Sequence, residues 1–240
     1  MSDAMIYLFS FLGIVSTAAM AFGLNAMPAK CFCDYDETPD HRHDAPRAGK
    51  WALLVSALVL AAVYPVLYNR FGLGIQSVCL CLFSTVLVMI ALSDIRFCII
   101  PDELIIAGCL LATIGAFPGI LSGETWGEKL SPIFGAAVGA GIILAVNGLG
   151  HILYKKDALG MGDLKLMAIC GIACGAAGTA ISMLVGIFAA GFWFAFGIIL
   201  KRIRSEAYMP LGPFLIFGTL FTLCFRPMVD SFLAWYISLL

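Results

Sequence analysis

Apolar runs of about twenty residues follow one another along almost the whole chain, broken only by brief polar stretches, and this spacing constrains the fold more than any single motif does. About 20 helical residues cross a ~30 Å hydrocarbon core, so each such run reads as a membrane helix. The balance agrees: 62% of the 240 residues are hydrophobic and 12% charged, far from the soluble norm. Spans are expected at 5–27, 51–68, 74–93, 104–121, 133–153, 164–178, 180–200 and 211–225. The expected fold class is therefore all-α, a polytopic membrane protein with a bundle of about eight transmembrane helices. The last ten residues, 231–240, are too few to cross and are expected to form an interfacial or packed tail.

The first run ends near Thr17-Ala18-Ala19-Met20-Ala21, which imitates a signal-peptide cleavage site. The segment before it carries Asp3 and no Lys or Arg, and the run exceeds a typical signal core, so it is read as a helix that stays. Residues 28–50 are the only extended polar segment and must form a loop. These features divide the chain into a two-helix segment, 1–73, with its polar loop at 28–50, and a six-helix domain, 74–240. The net charge of −1 and the lack of a basic tract argue against nucleic acid as a partner. Most of the nine cysteines sit inside apolar runs, where a thiol acts as a small hydrophobe, and the odd count argues against a disulfide framework.

Eight crossings also predict an orientation. Loops after odd-numbered spans share one side, which then holds Lys30, Arg42, Arg47, Lys50, Arg96, Lys155, Lys156, Lys165, Lys201, Arg202 and Arg204, or 11 of the 14 basic residues. Arg70, Lys129 and Arg226 make up the other 3. The positive-inside rule makes the first side cytoplasmic and leaves the N-terminus outside.

Two acids fall on that side at the ends of spans: Asp94 in Ser93-Asp94-Ile95-Arg96, and Asp163 in Gly160-Met161-Gly162-Asp163-Leu164-Lys165. An ionisable group near hydrocarbon costs roughly 2.5–3.5 kcal/mol on insertion scales, so each is a functional candidate. Two carboxylates meeting in a poorly solvated place cannot both ionise easily; one keeps a proton while the other stays charged. That division suits an aspartic protease, in which the ionised acid takes a proton from water and the protonated one polarises the scissile carbonyl. No nucleophile with a neighbouring base offers a covalent route: Ser84, Ser93 and Ser182 lack a nearby His, and there is no G-x-S-x-G. Gly160 and Gly162 are expected to supply backbone angles closed to other residues and close approach to substrate. The competing reading is that Gly160 ends a turn and Asp163 caps the following helix.

The motif around Asp163 resembles the GxGD-x-K signature of prepilin leader peptidases, which are membrane aspartic proteases. Ser93-Asp94 followed after six residues by Pro101-Asp102 is similar to that family's first aspartate motif, and Met209-Pro210-Leu211-Gly212-Pro213-Phe214 resembles its P-x-G-P-aromatic segment. The resemblance covers about residues 75–225. It implies Asp94 and Asp163 as the catalytic pair, with Gly160, Gly162, Lys165, Pro101 and Asp102 supporting them. Asp102 competes with Asp94 for the catalytic role, but Pro101-Asp102-Glu103 also opens a helix well. Lys165 either orients Asp163 or anchors at the membrane surface.

The implied function is removal of the basic leader from prepilin or pseudopilin precursors, of type IV pili or type II secretion, at the cytoplasmic face of a bacterial inner membrane. Larger family members resemble one another in a bigger first loop with two CxxC pairs, linked to N-methylation of the new amino terminus. Here that loop is short, with Cys31-Phe32-Cys33 and His41-Arg42-His43, so no methyltransferase activity is expected. The spacing of Cys31, Cys33, His41 and His43 is not a standard zinc pattern; no metal or other cofactor is expected, and zinc in the 28–50 loop is the alternative. The loop's Asp34, Asp36, Glu37, Asp40 and Asp44 form either a solvated cluster or an attraction for a basic leader. The rival function is a small transporter or channel using the two aspartates as a proton or cation relay, since intramembrane acids serve pumps as well. Oligomeric state is left open.

Overall fold

The computed structural model describes residues 3–32, 49–123, 125–154, 160–200 and 210–238. All regular structure among them is helical: α1 (Asp3–Ala26), a 3-10 turn (Ala29–Phe32), α2 (Lys50–Phe71), α3 (Ile75–Phe97), α4 (Asp102–Ser122), α5 (Trp126–Tyr154), α6 (Met161–Ile199) and α7 (Gly212–Ile237). Helices α1 to α6 are long and apolar enough to cross a membrane, and the apolar part of α7, Gly212–Met228, is shorter. The all-α, multi-pass architecture expected from the apolar runs is present. Helix α3 is the most buried of the spans and packs against α1, α2, α4 and α7.

Among the described residues seven α-helical elements occur, so the count of eight is not confirmed. The runs expected at 164–178 and 180–200 lie within α6, which is 39 residues long. A straight helix of that length would measure about 58 Å at 1.5 Å per residue, nearly twice a ~30 Å core. Instead it breaks at Gly175, whose φ of 69° and ψ of 174° are not helical. The packing against α5 shows that the chain doubles back there. A Cβ built on Gly139 of α5 would touch the Met167 carbonyl from one arm and reach within 3.2 Å of Thr179 from the other. In a continuous helix those two residues would stand about 18 Å apart along the axis. The small residues of the first arm allow this nesting: a side chain on Gly135 would collide with the Gly171 backbone, and one on Gly171 with that of Gly135.

At the end of the bundle where α6 turns, two arginines serve carbonyls that lost their helical partners. Pro227 has no N–H to offer Leu223, four residues earlier, and Arg70 Nη1 donates to the Leu223 oxygen at 2.6 Å. The break at Gly175 strands the Cys174 carbonyl, and Arg226 Nη1 donates to it at 2.5 Å.

Two boundaries differ from expectation. Helix α5 starts at Trp126 rather than 133, because Thr125 and Glu128 form a capping box: the Glu128 N–H donates to Thr125 Oγ1 at 3.3 Å, and the Thr125 N–H to Glu128 Oε2 at 3.4 Å. The expected separate tail after 230 continues α7 to Ile237, with the helix bent at Phe225 (φ −111°, ψ 16°).

Candidate active site

Asp94 sits in the last turn of α3, whose next residues form a tight reversal. Cys98 takes the left-handed conformation, φ 54° and ψ 31°, and its N–H returns to the Asp94 carbonyl at 2.9 Å. Ser93 Oγ donates to the Ile99 carbonyl at 2.8 Å, fixing the loop against the helix end. Asp94 is only 6% exposed, and its Oδ2 has no hydrogen-bond partner among the described residues. A buried carboxylate oxygen left without a donor is rare in folded proteins, and such atoms call for an explanation.

Asp163 lies in the first turn of α6, one residue after Gly162. Gly160, not Asp163, is the residue that caps α6, so the reading of Asp163 as the cap does not hold; its carboxylate lies within the first turn and faces the Gly160 N–H. That contact does not bury it fully; Asp163 is half-buried, and its charge acts on Asp94 across the gap between α3 and α6. The two acids, far apart in sequence, thus share one electrostatic environment.

The flanking glycines do not supply the unusual backbone angles expected of them. Gly160 is ordinary extended chain (φ −72°, ψ 153°), and neither Gly160 nor Gly162 has a positive φ. Gly162 is small for a packing reason: a Cβ there would press on Ile100 at 3.2 Å, so the glycine lets the α3–α4 loop close over the start of α6.

Pro101 directly precedes α4 with φ −64° and ψ 132°, and Asp102 and Glu103 occupy the first turn, where the helix dipole favours acids. Lys165 Nζ meets Asp102 Oδ1 at 2.6 Å, joining the first turns of α6 and α4. Both side chains are about half exposed. The ion pair ties Asp102 to the motif that carries Asp163.

Two contacts here had no expectation attached. Gly212, the first residue of α7, lies directly against the Asp94 carboxylate. The motif Pro210-Leu211-Gly212-Pro213-Phe214 was the available signal. Cys31 Sγ donates to Glu103 Oε1 at 3.0 Å, and the Phe32 and Phe97 rings lie 5.1 Å apart, so the start of the polar loop is docked beside the site. No sequence pattern relates residues 31 and 103. Cys98 is exposed near Asp94; partial burial, and then the charge of Asp94, pushes its thiol pKa up. Of the metal candidates, Cys33, His41 and His43 lie outside the described residues, and no metal-ligating cluster occurs among the described ones.

Residues 81–195 match the type IV leader peptidase family. The chain is similar to the prepilin leader peptidase/N-methyltransferase of Bacillus subtilis, with 23% identity over 76% of this chain and 68% of the relative. It is likewise similar to the protein of that name from Xanthomonas campestris pv. campestris, with 32% identity over 75% of this chain and 60% of the relative. For the protein of that name from Pseudomonas putida, identity is 26% over 61% of this chain and 49% of the relative. The chain thus spans about half to two thirds of the length of these relatives. No solved structure matches it.

Proposed function

We propose, on the premise of the match of residues 81–195 to the type IV leader peptidase family, that the chain is an aspartic endopeptidase that removes the leader from prepilin or pseudopilin precursors. The observation that supports the mechanism is the setting of the two acids: Asp94 is deeply buried with an oxygen that has no hydrogen-bond partner among the described residues, Asp163 is half-buried at a helix start, and the charge of Asp163 acts on Asp94. With one proton shared between them, the ionised carboxylate takes a proton from water as the oxygen attacks the scissile carbonyl, and the protonated carboxyl hydrogen-bonds the carbonyl oxygen. The proton then passes to the leaving amine as the tetrahedral intermediate collapses. The half-buried Asp163 side is the approach for substrate and for the attacking water, because Asp94 Oδ2 is sealed from solvent.

The site is proposed to face the cytoplasm across a bacterial inner membrane, with the N-terminus outside. Support comes from the placement of Arg96 and Lys165 at the Asp94 end of the bundle, against Arg70 and Arg226 beside the Gly175 turn. We further propose that no N-methylation follows cleavage and that no metal or other cofactor is required, because the 28–50 loop is short and lacks a standard zinc spacing.

Detergent-purified protein incubated with a prepilin should release the leader. Asp94→Asn and Asp163→Asn should each lower kcat by about 10²–10⁴-fold, the usual range for loss of a positioned acid or base. Cleavage by both variants at the parent rate would remove the dyad from the mechanism. Transfer of labelled methyl groups from S-adenosylmethionine to the cleaved product would overturn the second part, and loss of cleavage on chelation would overturn the third.

A further inference from the structure

Helix α7 lies outside the 81–195 segment, yet its first residue is in contact with a candidate catalytic acid. A side chain on Gly212 would occupy the place of the Asp94 carboxylate: the nearest atoms to an added Cβ are Asp94 Oδ2, then Cγ at 3.2 Å and Cβ at 3.6 Å. Backbone conformation does not demand glycine here, because Gly212 does not have a positive φ. Space alone demands it. The Leu211 carbonyl accepts the first N–H groups of α7, from Phe214 at 3.0 Å and Leu215 at 3.2 Å. Gly212 is therefore in the first turn, where an N–H has no partner inside its own helix, and that N–H faces the Asp94 carboxylate.

The helix cannot retreat to make room. Where α7 packs on the second arm of α6, a Cβ on Gly218 would collide with the Ser182 carbonyl, and one on Gly186 would lie 2.8 Å from the Phe214 carbonyl. Backbone is pressed against backbone on the far side of α7, so displacement from an enlarged residue 212 falls on Asp94, whose side chain can rotate.

We propose that Gly212 is a positioning residue for Asp94: the space left by its missing side chain, and the amide of the first turn of α7, set the direction in which the Asp94 carboxylate points toward Asp163. Peptide binding does not depend on that direction, whereas proton transfer does. Misplacement of a catalytic group by about 1 Å costs on the order of 10²-fold in rate.

This inference rests on the peptidase reading for its kinetic arm but not for its stability arm. In the kinetic arm, full-length Gly212→Ala cleaves a prepilin with kcat lowered about 10- to 100-fold and KM within about twofold of the parent. In the stability arm, the unfolding midpoint in detergent is compared for Gly212→Ala in the parent and in an Asp94→Ala background. Truncation of Asp94 removes the atoms in the way, so the midpoint shift caused by Gly212→Ala disappears in that background. An unchanged kcat in Gly212→Ala, or a midpoint shift of equal size in both backgrounds, overturns the proposal. Absence of prepilin cleavage by the parent overturns the peptidase reading instead and leaves the stability arm to decide on Gly212.

Discussion

Replacing Gly175 by alanine tests the reversal of α6, on which the arrangement of the second half of the chain depends. Gly175 adopts φ 69° and ψ 174°, a region entered almost exclusively by glycine. Holding another residue there costs of order 1–3 kcal/mol. The added methyl would also meet Ser131 Oγ, while the Ser131 Cβ stands 3.7 Å away. A hydroxyl at the end of a rotatable bond moves at a cost of about 0.5–1.5 kcal/mol if driven off its rotamer. The two contributions together give a loss of roughly 1.5–4.5 kcal/mol, of which the larger share is conformational. Unfolding in mixed detergent micelles, followed by far-ultraviolet circular dichroism, measures it. In a Ser131→Ala background the steric share is absent, and about 1–3 kcal/mol remains. A loss below about 0.5 kcal/mol for Gly175→Ala, or one that vanishes with Ser131→Ala, refutes the reversal at this residue.

Three further outcomes follow from contacts around the site and at the opposite end. The half-exposed Lys165–Asp102 pair is worth about 0.2–1 kcal/mol in stability, so Lys165→Met leaves the unfolding midpoint nearly unchanged; cleavage falls several-fold, and the Lys165→Asp/Asp102→Lys exchange recovers more activity than either single change. Failure of the exchange to recover anything assigns Lys165 a role other than this pairing. Arg70→Met strands the Leu223 carbonyl and destabilises by about 1–3 kcal/mol, while the same change in a Pro227→Ala background, where residue 227 regains an N–H, costs less. Equal losses in both backgrounds would show that Arg70 acts elsewhere. The Cys98 thiol pKa is raised by partial burial and then by the charge of Asp94, so at pH 8 less of it is thiolate than of an unhindered cysteine and alkylation by iodoacetamide is slow. Asp94→Asn removes the second cause, lowers the thiol pKa and speeds alkylation; an unchanged rate places no charge on Asp94 at that pH.

Where a feature depends on neighbours along the chain, the sequence alone determined it. Apolar run length and the scarcity of charge required an all-helical membrane bundle, since a backbone in hydrocarbon must satisfy its own polar groups. Pro101-Asp102-Glu103 announced the start of α4, and the three ordered motifs pointed to the two acids and to the family. The capping box of Thr125 and Glu128, inside the polar turn 122–129, is likewise a local pattern. Gly175 carried no mark distinguishing it from Gly171, because one supplies a conformation and the other closeness, and only the fold separates these needs.

Tertiary structure decided everything about the site that runs between helices. Lys165 was adjacent in sequence to the Asp163 motif but found Asp102, since charges pair with what packing brings near rather than with what precedes them. Gly162 proved to need space beside Ile100 instead of unusual backbone angles. Gly212, the last motif to be passed along the chain, came to rest on Asp94, because the doubling back of α6 at Gly175 lets its second arm return beside α7 and hold that helix start against the end of α3.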